Sequence, residues 1–226
     1  MAQSAPRLIV LDVNETLSDL SRMPDRFEEV GAPRHLAPLW FASVLRDGFA
    51  LATAETHATF AELAEQNLRG LLAPLGLEDP AEAVDTVMAG FGEMDVHPDV
   101  GPGLEALRAL RIQLVTLSNG SAAVAHGLLD RAGLADAVDD VLSVEGQSWW
   151  KPAREAYSQP LAVRDVAAED AMLVAVHPWD VDGAARAGLR TAWIDRAGGT
   201  PWPDAFTPPE ITASSLMDLA EQLESP

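Results

Sequence analysis

The sequence predicts an α/β protein: a doubly wound parallel sheet with a helical cap inserted after its first strand. Three observations carry this. Short apolar runs of strand length stand at 8–11, 112–117, 138–144, 171–176 and 190–194, and beyond residue 98 helix-like stretches alternate with them. Between 20 and 97 the alternation stops, no convincing strand is present, and Ala, Leu and Glu are abundant. Finally, polar residues follow several of the runs at once: Asp12, then Ser118-Asn119-Gly120, then His177-Pro178-Trp179-Asp180. A doubly wound sheet binds its ligands at the carboxyl ends of its strands, so these residues share one edge of the fold.

The elements follow in order. The run 8–11 (LIVL) has the length and β-branched content of a strand buried on both faces. The chain leaves the core near Ser18 and returns near His97-Pro98. Helices are expected over 34–47, 55–73 and 80–91. This assigns 1–18 and 98–226 to the core and 19–97 to the cap. Leu104, Leu107 and Leu110 line one face of a helix over 101–110. A second strand over 112–117 precedes a helix over 121–132 with a serine cap. A weaker strand covers 138–144, and helices over 153–165 and 181–188 alternate with the strands at 171–176 and 190–194. A Gly/Pro-rich loop fills 198–209, and an amphipathic helix covers 212–224.

Composition narrows the function. Of 226 residues, 48% are apolar, enough for a sizeable core. Fifteen basic against thirty-five acidic residues give a net charge of −20, which repels phosphate backbones and anionic lipid. The absence of cysteine excludes disulfides, thiolate metal sites and a cysteine nucleophile. No apolar run approaches the ~18 residues of a membrane span. The start, MAQSAPR, lacks the shape of a signal peptide. A soluble cytoplasmic protein is the expectation.

Four polar positions carry chemistry. Asp12 ends the first strand and is followed by Val13-Asn14-Glu15-Thr16-Leu17. A carboxylate aimed into a cleft can act as a nucleophile and form an ester; alone, it would read as a turn cap. Ser118 can bond to the nucleophile or to a substrate oxygen, or cap a helix. Lys151 is the sole lysine of the chain, and a lysine beside two carboxylates keeps both ionised. Asp180 can hold or activate water, or cap the helix that follows.

This set, in this order, resembles the haloacid dehalogenase-like hydrolase superfamily over roughly residues 7–196. The resemblance implies a Rossmann-like core, a helical cap and an aspartyl nucleophile at Asp12. Phosphatases of this group carry Asp-x-Asp, whose second Asp protonates the leaving alkoxide, and use Mg²⁺ on the phosphate. Here that position is Asn14, and the expected acidic metal ligand five residues before Asp180 is Ala175. Halide leaves without protonation and needs neither group.

The sequence is therefore most similar to the L-2-haloacid dehalogenase branch. Its motifs match Asp12, Thr16, Ser118, Asn119, Lys151, Tyr157, Trp179 and Asp180. By resemblance, Thr16, Ser118, Lys151 and Tyr157 hold the Asp12 carboxylate, and Asp180 assists the hydrolytic water. Val13, Asn14, Asn119 and Trp179 are candidate substrate contacts. The branch usually has Ser at Ala175 and Asn at His177; His177 could serve here as base, donor or halide partner. Its cap arginine falls near Trp40-Phe41, where none stands; Arg46 lies a turn further on and Arg34 two turns back. Phe41 and Leu45 are expected to face the substrate from the cap, with Leu39 and Trp40 beside them, unless they simply pack.

The expected activity is metal-independent displacement of halide from a small 2-haloacid, through an aspartyl ester, to a 2-hydroxy acid. No cofactor is implied. The expected partner is a small organic acid, with neither nucleic acid nor membrane, and a homodimer is compatible with the resemblance. The alternatives are a phosphatase with an atypical site, or hydrolysis of another electrophile by the same chemistry.

Overall fold

Leu8, Ile9, Val10 and Leu11 are all fully buried because the first strand has helices on both of its faces. In the computed structural model, which describes residues 5–147 and 149–224, these residues form the central strand β1 (Leu8–Leu11). Residues 1–4, within the MAQSAPR segment, lie outside the described residues.

The sheet has six parallel strands in the order β3-β2-β1-β4-β5-β6. They are β1, β2 (Gln113–Ser118), β3 (Asp140–Ser143), β4 (Ala171–Ala175), β5 (Arg190–Ile194) and β6 (Ile211–Ala213). Successive side chains point to opposite faces. Ile9, Leu11, Met172 and Val174 enter a core shared with α5 (Val100–Ala109), α6 (Ala122–Arg131) and α9 (Leu216–Glu224). Leu8, Val10, Leu173 and Ala175 enter the opposite core, with Tyr157, Val181 and Ala184.

That second core continues into the helical layer between β1 and β2. The layer comprises α1 (Met23–Glu29), α2 (Leu36–Thr53), α3 (Phe60–Leu72) and α4 (Pro80–Gly92). The chain leaves and re-enters the sheet layer side by side. Ser18 and Val96 form an antiparallel bridge, Asp19 N donates to Asp95 O at 2.8 Å, and His97 N donates to Leu17 O at 2.9 Å.

Several elements differ from the sequence reading. Helix α1 was not expected; its buried residues are only Met23 and Phe27. Helix α2 runs to Thr53 rather than ending at 47, and its Gly48 packs on the Trp150 ring, where a Cβ would come within 2.3 Å. The expected helix over 153–165 is a 3₁₀ turn over Arg154–Tyr157 followed by α7 (Ser158–Arg164). The expected helix over 212–224 begins with edge strand β6. Helix α8 (Pro178–Ala187) starts three residues early, with Pro178 in its first turn, where a missing N–H costs nothing.

No helix among the described residues is long and apolar enough to cross a membrane.

Candidate active site

The chain runs from β1 outward through β2 to β3 on one side of the sheet, and through β4 to β6 on the other. Strands β1 and β4 are neighbours, so a crevice opens beyond their carboxyl ends. Asp12 follows β1 and His177 follows β4, which places the two side chains across that crevice.

Asp12 is 4% exposed and has three side-chain partners. Thr16 Oγ1 donates to its Oδ2 at 2.6 Å and accepts from Val176 N at 3.1 Å, tying the β1 loop to the β4 loop. Lys151 Nζ donates to Asp12 Oδ1 at 2.7 Å and to Asp180 Oδ2 at 2.7 Å. His177 Nδ1 lies 3.1 Å from Asp12 Oδ2, and its Nε2 lies 2.9 Å from Glu15 Oε2.

Lys151 is fully buried, far from any ordinary place for a lysine. Asn119 fixes its backbone: Lys151 N donates to Asn119 Oδ1 at 2.9 Å, and Asn119 Nδ2 donates to Lys151 O at 3.2 Å. Burial pulls the Lys151 pKa down, but Asp12 and Asp180 outweigh burial and raise it, so the ammonium stays charged. Burial likewise pushes the Asp12 carboxyl up, and Lys151 and His177 overcome that and hold it well below the usual carboxylate range.

Asp180 sits in the first turn of α8 and is also fully buried. Tyr157 donates to its Oδ1 at 2.6 Å. Gly183 allows this approach, since a Cβ there would come within 2.7 Å of the Tyr157 hydroxyl. Burial and the neighbouring Asp180 raise the Tyr157 pKa well above its usual value, so the phenol remains a donor.

His177 stacks with Trp179, at 5.0 Å between ring centroids, and with Phe41, at 6.4 Å. Burial lowers its pKa, but the hydrogen bonds to Asp12 and Glu15 outweigh burial and push it up to about 9. An imidazolium therefore bridges two carboxylates at neutral pH. The wall of a cavity of about 530 Å³ includes Glu15, Phe41, His97, His177 and Arg196. Arg196 is engaged, donating to Asp99 Oδ1 and to Thr16 O, each at 2.7 Å.

The site corrects several sequence expectations. Tyr157 reaches Asp180 and not Asp12, because Lys151 lies between the two carboxylates. Ser118 Oγ accepts from Gly120 N at 2.9 Å and shapes the β2 loop; Ser121 caps α6. Asp180 is no N-cap: His177 holds that position, without a side-chain cap bond. Asn119 spends its amide on Lys151. Arg46 is exposed and paired with Asp47, and it lines a separate shallow groove with Leu45, Phe49 and Trp179. Arg34 pairs with Asp25 and Glu28 on the surface. Val13 and Asn14 line a smaller cavity of about 90 Å³ with Phe60 and Ser118.

The sequence reading missed Glu15 as a site residue. A glutamate three residues past Asp12 gives no signal in a single sequence. Its backbone does: φ is 62°, a left-handed conformation that costs a residue with a Cβ ~1–2 kcal/mol.

Among the described residues, no group of three His, Asp or Glu side chains is placed to hold a metal. With an amide at Asn14 and a methyl at Ala175, the donor set does not fit the Mg²⁺ of a phosphatase site.

The class these features define is a doubly wound enzyme with a charge-neutralised carboxylate at its switch point. The chain belongs to the haloacid dehalogenase-like hydrolase family, whose sequence profile matches residues 6–188. It is 26% identical over 219 residues to an (S)-2-haloacid dehalogenase of Pseudomonas sp. strain YL, covering 96% of this chain and 94% of that one. It is 28% identical over 215 residues to (S)-2-haloacid dehalogenase 4A of Burkholderia cepacia, covering 94% and 93%. A solved dehalogenase with an intermediate complex superposes with a TM-score of 0.91 at 26% identity, covering 99% of this chain and 100% of that one.

The charge network fixes how stability depends on pH. The folded pKa of His177, about 9, lies above its ordinary 6.5, so its contribution is complete below pH 6.5 and lost as pH rises through 9. Asp12 is depressed below its ordinary 3.8; its contribution is present above that value and lost as pH falls through the lowered one. The Tm difference between wild type and His177→Asn is therefore expected to be flat just below pH 6.5 and to shrink toward pH 9 and above. A difference independent of pH contradicts the imidazolium.

Proposed function

We propose that the protein is a metal-independent hydrolase that displaces halide from a small 2-haloacid by attack of Asp12 on carbon. The observation that carries this reading is an ionised, buried Asp12 held by Lys151 and Thr16, beside Asn14 rather than a second acid. Asp12 attacks the carbon bearing the halogen, a C–O bond forms, and the halide departs with the bonding pair. Water then cleaves the ester and releases a 2-hydroxy acid. Lys151 keeps the buried carboxylate charged, and Thr16 holds its Oδ2 in place. His177, in contact with Asp12, is the cation suited to the substrate anion or the departing halide in place of a cap arginine. The names of the relatives, (S)-2-haloacid dehalogenases, support the same reading. In it, residues 19–97 act as a cap over the core formed by 1–18 and 98–226.

The test is halide release from L-2-chloropropionate, chloroacetate and fluoroacetate with EDTA present. Release unaffected by EDTA is expected. An enzyme that releases no halide but frees phosphate from phosphate esters only with Mg²⁺ belongs to the atypical phosphatase reading instead.

A further inference from the structure

The base for the second half of the reaction is not the aspartate the resemblance suggests. Both oxygens of Asp180 are already bonded, Oδ2 to Lys151 and Oδ1 to Tyr157, and the side chain is fully buried. A carboxylate so enclosed is turned toward Lys151 and Tyr157 rather than toward a cavity. His177 stands differently. It touches Asp12, and it lines the cavity of about 530 Å³ from which water can arrive; neither Asp12 nor Asp180 is among that cavity's lining residues.

We propose that Glu15 and His177 act as a carboxylate–imidazole pair, in which His177 hydrolyses the ester on Asp12 and Glu15 is the positioning residue that sets its tautomer. This rests on the dehalogenase reading above.

The geometry supports the assignment on three counts. Glu15 Oε2 lies 2.9 Å from Nε2, which keeps a proton on that nitrogen and leaves Nδ1 to face Asp12. The Glu15 backbone stands at φ 62°, and its carbonyl oxygen lies 3.0 Å from His97 Nε2. Strain held at a site by surrounding contacts points to use. Trp179 and Phe41 both pack on the imidazole, their rings inclined to it by 29° and 27°.

The protons balance. In the resting protein the imidazolium bonds to both carboxylates. When Asp12 attacks, its charge passes to the halide, and the Nδ1 proton leaves with that anion into the cavity. Nδ1, now bare, takes a proton from a water whose oxygen bonds to Cγ of the ester. The tetrahedral intermediate expels the product alkoxide, which takes that proton and becomes the hydroxyl. The proton left on the new Asp12 carboxyl returns to Nδ1. The sum is one haloacid and one water giving one hydroxy acid, one halide and one proton. Ester formation removes the Asp12 charge facing His177 and leaves Glu15 as its bonded anion. Lys151, whose Nζ lies 6.0 Å from the Trp179 ring centroid, keeps its bond to Asp180. Asp19, His97 and Arg196 share the cavity wall.

The test uses Glu15→Gly and Glu15→Gln. Glycine adopts φ 62° without strain, so the first variant removes the carboxylate and keeps the loop. With L-2-chloropropionate, both variants are expected to release one equivalent of halide in a burst. Turnover then slows by about 100-fold, and the peptide carrying Asp12 accumulates the ester mass. By NMR, the His177 ring is expected to titrate at lower pH in Glu15→Gln than in wild type. Wild-type turnover without ester in both variants, or an unchanged His177 titration, overturns the pair while leaving the dehalogenase reading intact. Failure of wild type to release halide from any haloacid overturns both.

Discussion

Asp12→Asn is expected to lower kcat for halide release by on the order of 10⁴-fold or more, with the protein still folded. In rate terms that is ~5.4 kcal/mol of barrier. The loss follows from charge. Lys151 and His177 hold Asp12 ionised against its burial. An amide of the same shape has no nucleophilic oxygen anion, and its NH₂ faces either Lys151 or the Thr16 and His177 donors. The arrangement then loses the nucleophile and one acceptor together. Halide release by stopped assay checks the rate, and circular dichroism checks the fold. A variant that keeps even a tenth of the wild-type rate places the nucleophile elsewhere.

Lys151→Met is expected to have the largest effect on stability. Methionine fills much of the space of the lysine stem but removes a charge that bonds to two buried carboxylates. Breaking a buried ion pair from one side typically costs about 3–5 kcal/mol, because the remaining charges stay buried without a partner. Here two anions remain, and each raises the pKa of the other, so one takes up a proton. The cost is expected to fall at low pH, where that protonation is easy. Urea unfolding at neutral and acidic pH measures it. A loss under ~1 kcal/mol, or one that grows on acidification, contradicts the network described for Lys151.

The strands were legible where both faces are covered. The runs ending at Leu11, Ser118 and Ala175 were located to within a residue at either end, because a strand packed on both sides is mostly apolar. Edge strand β6 was not legible, since three residues, one of them exposed, make no run. Gly48 inside α2 reads locally as a helix end, and its partner, the Trp150 ring about a hundred residues away, is not visible in any local pattern. The charged centre of Asp12, Lys151 and Asp180 was readable because carboxylates after strands and a solitary lysine are rare signals. The partner of each group was not. Tyr157 joins Asp180 rather than Asp12 through the packing of α8 on the 3₁₀ turn, with Lys151 between the two carboxylates. Glu15 and His177 become a pair only when β1 and β4 lie side by side.

The most direct measurement of the central claim is a single turnover, with enzyme in excess over L-2-chloropropionate, in water enriched in heavy oxygen. If Asp12 attacks carbon and water then attacks the ester carbonyl, the first lactate formed carries ordinary oxygen from Asp12. The heavy atom is then found in the Asp12 side chain by peptide mass spectrometry. Heavy oxygen in the lactate of that first turnover, with Asp12 unlabelled, would mean that water attacks the substrate directly and that Asp12 is not the nucleophile.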